Sequence, residues 1–439
     1  MTLSVGERQA RLDTASGGVA QRLRRAAGRV GRRASRANRS VGSDRPRIAF
    51  VTPWPPEPSG VADYAIRLAI ELSETIDVDV VTGNPDVHYT DPRVRGLRFL
   101  QASDPRLLRS LGRYDRIVYA MGNSRFHAHV PALLAARPDA VVFHDVQLTG
   151  FYTLLSVAER PDDVQGALSE HFQAMYGSPP PAQAVVGGML EWERLQALGI
   201  CMSREIQQLA GECFVHSASS MRMLLGDRQS VEGEVAARVL PFGMPDVKGD
   251  ARPAGPASDA PLIVSVGVVT ATKGVAQVID AFALVAVRYP KARLVIAGPI
   301  EDADPLRWHA YAREHAPGAQ IELPGYLSPE RFDALLREAD VAVQLRLVST
   351  GEASGVISDC LAAGIPTLVS DLGWAGELPA DAVLRVPVDA SATLIAERVG
   401  ELLSDSGLRA TLSAAALEHA RAHSFARLAD AYREVLALR

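Results

Sequence analysis

SVGVVTATKGVAQVIDAF, residues 265–282, is a β-rich apolar run that stops at a turn and gives way to a helical pattern starting near Lys273-Gly274. The same alternation continues downstream in ARLVIAGP (292–299), IELPGY (321–326), VAVQLR (341–346), PTLVSD (366–371) and AVLRVPV (382–388). Helical patterns separate these runs, and helices around 391–404, 407–422 and 424–437 follow the last of them. Upstream, IAFVTP (48–53), VDVVTG (78–83), RIVYAMG (116–122), AVVFHD (140–145), ECFVHS (212–217) and RVLPFG (238–243) form a second series. Short apolar strands alternating with helices predict parallel sheets, so the fold class is α/β with two doubly wound, Rossmann-like domains.

The series break at PDVKGDARPAGPASDAP (245–261), whose Pro, Gly, Ala and Asp content is that of a linker. The expected organisation is a basic arm over 1–46, a first domain over 47–244 and a linker over 245–260. A second domain over 261–420 and a terminal helix over 421–439 that returns to the first domain complete it. Residues 150–210 are helical in tendency, with a proline break at SPPPA (178–182), and form an insertion that either shapes a specificity pocket or pads the structure. Open parallel sheets bind ligands at the carboxyl ends of their strands, which places the expected active site in a cleft between the two domains.

Length and composition are those of an ordinary globular protein: 439 residues, 47% hydrophobic and 22% charged. Three scattered cysteines, Cys201, Cys213 and Cys360, fit neither a disulfide framework nor a CxxC metal site. No apolar run reaches eighteen residues and no secretory h-region is present, so a cytoplasmic protein is expected. The net charge of -5 is unevenly spread, because residues 1–47 hold twelve arginines against Glu7, Asp13 and Asp44. Within that arm Val19, Leu23, Ala27, Val30 and Ala34 recur at helical spacing. A weak basic amphipathic helix on anionic lipid, at the inner face of the membrane, is one reading and a solvated leader is the other. Nucleic acid is not an expected partner, since the remaining chain is acidic and carries no reading motif.

Several strand ends carry chemistry. TPWPPEPSGVADY (52–64) ends a strand and opens a helix whose backbone amides and Gly60 suit the approach of a bulky anion. Asp63 and Tyr64 follow in its first turn. Asn123 in GNSRFH and His144-Asp145 in HDVQL lie on the same edge, where Asp145 either orients the imidazole or caps the next helix. In the second half Lys273 stands beside a helix start and Arg346 ends a strand, both well placed for phosphate oxygens. Glu352 and Asp359 supply paired acceptors for hydroxyls, with the backbone of Ser354 and Gly355 between them. DAD at 302–304 matches the letters of a metal motif, but its place reads as a surface loop, and no metal or other cofactor is expected.

VGVVTATKGVAQVIDAFALVAVRYPKARLVIAGP (266–299), LPGYLSPERFDALLREADVAV (323–343) and GEASGVISDCLAAGIPTLVSD (351–371) together resemble the retaining GT-B glycosyltransferases of family 4. PSGVADY, GNSRFH, HDVQL and QLR…TGEASG further resemble a bacterial branch that builds surface polysaccharides and glycoconjugates. The likeness extends over about residues 47–435.

The resemblance implies transfer of a hexose from a nucleotide-diphosphate sugar, GDP- or UDP-linked, to a lipid-linked or glycan acceptor, with retention and without metal. It implies that Gly60 lies against the donor diphosphate and His144 near the reacting centre. Lys273 would neutralise the diphosphate, Glu352 would hold sugar hydroxyls, Ser354 and Gly355 would offer amides to the leaving phosphate, and Asp359 would bind ribose. Asp63, Tyr64, Asn123 and Asp145 fall on the acceptor side. Two departures stand out. Six residues separate Glu352 from Asp359 where the family has two glutamates separated by seven, and Val268 occupies a position where many members have Arg. Arg346 is the candidate replacement for that charge. A catalytically silent nucleotide-sugar-binding scaffold and a nucleotide-sugar epimerase are the alternative readings.

Overall fold

A computed structural model describes residues 45–84, 86–87, 92–228, 236–252, 258–300 and 306–438. The arm up to residue 44, part of the expected linker and DAD at 302–304 lie outside the described residues. Two units separate by their internal contacts. The first comprises Met1–Pro241, Thr350–Glu352 and Leu428–Arg439, and the second Phe242–Ser349 and Ala353–Arg427.

Unit 1 is built on β1 (Arg47–Val51), β2 (Asp77–Thr82), β3 (Arg98–Gln101), β4 (Arg116–Met121) and β5 (Ala140–Phe143). A small hairpin of β6 (Val185–Val186) and β7 (Met189–Leu190) follows, and then β8 (Glu212–Val215) and β9 (Ala236–Val239). Apart from the hairpin these strands form one sheet in the order β3-β2-β1-β4-β5-β8-β9, with every described pairing parallel. Burial explains what the sequence made visible. β5, AVVF, is covered on both faces and is apolar throughout, as a central parallel strand must be. β3, RFLQ, lies at the edge with its outer residues exposed, and the apolar pattern therefore passed over it. β9 begins two residues before the RVLPFG run and ends inside it.

The 150–210 insertion consists of helices Thr149–Glu159, Val164–Tyr176, Trp192–Ala197 and Arg204–Leu209 around the hairpin. Asp163 caps the second helix through the Gly166 amide at 3.0 Å, and left-handed Gly177 ends it just before the prolines. Asp227, almost fully buried, anchors the far side: its carboxylate accepts from the Cys201 and Ser203 amides, the Ser203 hydroxyl and the Tyr176 hydroxyl at 2.6–3.0 Å. Four donors offset the cost of taking that charge out of water.

Unit 2 contains β10 (Leu262–Val266), β11 (Arg293–Ala297), β12 (Gln320–Gly325), β13 (Val341–Gln344), β14 (Thr367–Ser370) and β15 (Leu384–Val386). Their order is β12-β11-β10-β13-β14-β15, again parallel. In both sheets the order reverses beside the first strand, between β1 and β4 and between β10 and β13, which creates a topological switch point in each.

One connecting segment behaves differently from its composition. The described part of the expected linker is bound to unit 2: the Lys248 and Arg252 amides donate to the Ala362 carbonyl and the Ser413 hydroxyl at 3.1 and 2.9 Å, and the Met244 amide just before it donates to the His423 carbonyl at 2.8 Å. Residues Leu428–Arg439 cluster with unit 1, where Arg116 and Arg238 donate to the Leu436 and Val435 carbonyls. The three cysteines are buried and free. Among the described residues no helix is long and apolar enough to cross a membrane.

Candidate functional site

In unit 2 the loops leaving β10 and β13 flank the switch point. The first passes through a 3-10 turn, Ala271–Lys273, and reaches Gly274 at φ +65°, where the helix Val275–Arg288 starts with no side-chain cap. Its first amides are therefore not taken by a capping side chain. Glycine is required here, because a Cβ on Gly274 would come within 2.9 Å of the Leu345 Cβ. The second loop carries Arg346, whose amide donates to the Ser370 hydroxyl at 2.9 Å, and the Leu347 amide joins the two loops by donating to the Thr272 carbonyl at 2.9 Å. Lys273 and Arg346 consequently line one hollow, together with Gly267, Val268 and Ser354. Ser354 is buried and caps the helix Gly355–Ala362. Asp359 stands half-buried in that helix's second turn, and the residues lining the hollow include neither it nor Gly355.

The carboxyl edge of the unit 1 sheet is furnished differently. Ser59 caps the helix Gly60–Ser73 by accepting from the Val61 amide at 3.3 Å. Gly60 is exposed, and a Cβ there would meet nothing within 4 Å, so packing places no demand for glycine on this position. Asp63 is exposed in the first turn, whereas Tyr64 is buried with its ring edge-on to His144 at 5.1 Å. The His144 ring lies 5.1 Å from that of His216.

Burial, reinforced by His216 and His127, holds the His144 pKa well below the usual imidazole value, so it is neutral at physiological pH. Burial likewise lowers His127 and His216 to about 4 and His129 to about 3. His127 and His216 each bond a carbonyl through Nδ1, those of Ala120 and Leu240, at 2.9 and 3.1 Å.

Next to His144, Asp145 accepts the Asn123 amide on Oδ2 at 3.0 Å and the Thr350 hydroxyl on Oδ1 at 2.7 Å. The Asn123 side chain accepts from the Phe151 amide at 2.8 Å and so caps the start of the helix Thr149–Glu159. Glu352 belongs to the tripeptide Thr350–Glu352 that clusters with unit 1, and its Oε2 accepts both the amide and the hydroxyl of Thr350 at 2.6 and 2.8 Å. Of the expected residues, unit 1 thus brings Tyr64, Asn123, His144, Asp145 and Glu352 to one edge, while Lys273, Arg346 and Ser354 meet in unit 2. Glu352 lies outside the helix that carries Asp359, and the two acids fall in different units.

Three residues here were not singled out in the sequence. Glu57, on the loop after β1, accepts the Trp54 amide at 3.1 Å, and burial pushes its pKa up to about 7 against the pull of that amide and of Arg125. Ser220 donates to the Gly351 carbonyl at 2.7 Å. The Thr350 hydroxyl stands within hydrogen-bond distance of two carboxylates, those of Asp145 and Glu352. The signal available for Glu57 and Ser220 was position alone, since both follow a strand at the binding edge.

Residues 248–419 match the family described as glycosyl transferases group 1, which is less than half of the chain. A comparison with curated proteins returns no match. Among solved structures, HepE of Anabaena in complex with UDP and glucose is similar with a TM-score of 0.59 at 13% identity, covering 89% of this chain and 99% of that one. Sucrose-phosphate synthase from Thermosynechococcus elongatus has a TM-score of 0.57 at 18% identity, covering 90% and 100%. WaaG, a glycosyltransferase involved in lipopolysaccharide biosynthesis, has 0.55 at 14%, covering 89% and 99%. At such identities the likeness speaks for the fold alone. The chain therefore has the GT-B fold, and its residues 248–419 are similar to the glycosyl transferases group 1 family.

Proposed function

We propose that the protein is a retaining, family 4-like hexosyltransferase that moves a hexose from a nucleotide-diphosphate sugar to a hydroxyl acceptor in bacterial polysaccharide or glycoconjugate synthesis. The observation that carries this reading is the hollow of unit 2, where two cations from the loops on either side of the switch point stand with Ser354. Transfer breaks the bond between the anomeric carbon and the phosphate oxygen and forms one to the acceptor oxygen. Negative charge grows on the leaving diphosphate, and Lys273 and Arg346 attract it more strongly as it grows, which accelerates the step. Val268 lines the same hollow as Arg346, which supports Arg346 as the replacement for the missing arginine and charge neutralisation by side chains rather than metal.

Retention follows if the acceptor attacks from the face the phosphate leaves, its proton passing to the departing phosphate oxygen. A neutral His144 serves as a hydrogen-bonding group near that centre. Glu352 takes sugar hydroxyls, Asp359 the ribose, and Gly60 with the Ser354 and Gly355 amides the phosphates, while Asp63, Tyr64, Asn123 and Asp145 shape the acceptor side. The donor is GDP- or UDP-linked, and the complex of HepE with UDP-glucose makes uridine the first base to try. The acceptor is lipid-linked or a glycan, and the basic arm holds the enzyme on anionic lipid at the inner membrane face.

Thermal shift against UDP, GDP, ADP and dTDP tests the donor reading, because a bound nucleotide stabilises the native state by mass action. One of them should raise Tm in the wild type and not in Lys273→Ala; no shift with any of them overturns the site. Slow hydrolysis of the matching nucleotide sugar separates an enzyme from a silent scaffold. Deleting residues 1–45 should weaken sedimentation with anionic vesicles, and unchanged sedimentation removes the membrane role of the arm.

A further inference from the structure

The chain on both sides of Thr350–Glu352 belongs to unit 2, yet these three residues are held by partners in unit 1. The Thr350 carbonyl accepts the amides of Val146 and Gln147, at 2.8 and 2.9 Å, in the turn that follows His144 and Asp145. Gly351 sits at φ +81°, and a Cβ on it would come within 2.8 Å of the Val146 Cβ. Its carbonyl takes the Ser220 hydroxyl at 2.7 Å, and that hydroxyl is itself 2.6 Å from the Ser217 hydroxyl.

Within this frame the Thr350 hydroxyl lies 2.7 Å from Asp145 Oδ1 and 2.8 Å from Glu352 Oε2, while the Thr350 amide donates to the same Glu352 oxygen at 2.6 Å. We propose that Thr350 is the positioning residue of Glu352, clamping its carboxylate at a fixed place beside Asp145 before the sugar arrives. The inference rests on the reading of Glu352 as a sugar-holding acid.

The chemistry of the clamp is specific. A hydroxyl has one proton to donate, so it bonds one carboxylate at a time, and when it turns to Asp145 the amide still holds Glu352. A glutamate on a turn would otherwise sample many rotamers, and fixing one of them in advance spares the bound complex that ordering cost. Thr350 itself touches no substrate in this scheme. Its effect is carried by the location of one carboxylate, where even small displacements slow an oriented reaction.

The test uses full-length protein, UDP-glucose turnover by hydrolysis or transfer, and calorimetric binding of UDP, with the donor and nucleotide exchanged for whichever pair the wild type uses. Thr350→Val should lower kcat about tenfold or more and leave UDP affinity within about twofold. Thr350→Ser, which keeps the hydroxyl, should remain within about threefold of wild type. Combined with Glu352→Gln, Thr350→Val should add no further loss, because the residue through which it acts is already disabled.

Wild-type turnover in Thr350→Val while Glu352→Gln is strongly slowed overturns the positioning role and leaves the reading of Glu352 standing. So does a loss in the double variant equal to the sum of the two single losses, or a serine variant as slow as the valine. Full activity in Glu352→Gln, or a wild type that turns over no nucleotide sugar, overturns both. If Thr350→Val fails to fold, Thr350→Ala is measured against Thr350→Ser with the same outcomes.

Discussion

The two sheets present opposite chemistry at their carboxyl edges. In unit 2 the edge is cationic: Lys273 and Arg346 line a small hollow with Gly267 and a capped helix start. In unit 1 the edge is filled: Tyr64, His144 and His216 pack ring against ring, their imidazoles held neutral by burial, and the acids Asp145 and Glu352 are tied together through Thr350. The same strand order produces both. A parallel sheet fixes where loops converge, and the residues placed on those loops decide whether the edge suits an anion or a set of hydroxyls. The proposed function assigns the cationic hollow to the diphosphate and the edge of neutral rings and carboxylates to the sugar.

Breaking the anion side should have the largest effect. Lys273→Ala is expected to lower turnover about 10²-fold or more, roughly 3 kcal/mol of transition-state stabilisation, with the fold intact by circular dichroism; near-normal kcat would dissolve the contrast between the units. Next come two glycines that let backbone pack closely, one in each unit. Gly274→Ala and Gly351→Ala each force a left-handed residue and a contact under 3 Å, at a cost of about 2–3 kcal/mol in denaturant unfolding. Gly274→Ala should abolish nucleotide binding, whereas Gly351→Ala should slow turnover and spare UDP affinity. Loss of UDP affinity in Gly351→Ala would mean that the two edges do not divide the work.

Acid should separate the units by a smaller margin. His127, His129 and His216 have folded pKa values depressed to about 4, 3 and 4, so the stability they leave intact above their unfolded value is lost as pH falls from about 6.5 towards 4. At pH 5 each contributes a loss of about 1–2 kcal/mol to unit 1. In unit 2, His419 is depressed to about 4. Hydrogen exchange, corrected for intrinsic rates, should show β4 and β5 weakening more than β10 and β13 between pH 7 and 5. His129→Leu should flatten that difference, because His129 Nε2 has no hydrogen-bond partner among the described residues.

Glu57 gives the smallest effect and the opposite sign. Its folded pKa is raised from 4.5 to about 7, so ionising it costs stability as pH climbs through that window. Glu57→Gln should stabilise the protein at pH 8 by about 1 kcal/mol, after allowance for its partial exposure and its lost bond to the Trp54 amide. A destabilised variant at pH 8 would show that the carboxylate is welcome on this edge.

Local pattern made much of this legible. AVVF and VAVQ read as strands because strands buried on both faces leave no polar residue to blur the run beyond Gln344, which turns its amide to Cys360. Lys273 was found by its place beside a helix start, and Arg346 because it ends the VAVQLR run. β3 and the β6–β7 hairpin were missed, since short, partly exposed strands carry little periodic signal. The composition of residues 245–252 said linker, but the donors and acceptors that bind those residues come from helices far along the chain.

What the sequence determined by itself was the succession of elements and the set of strand-end loops available for chemistry, because helix and strand periods are local properties. Tertiary structure alone decided which loops stand side by side. Thr350 and Asp145 are 205 positions apart, and no local pattern anticipates their hydrogen bond. It also decided the charge states: an imidazole is neutral or cationic according to what surrounds it, and His144 owes its neutrality to burial beside two other histidines.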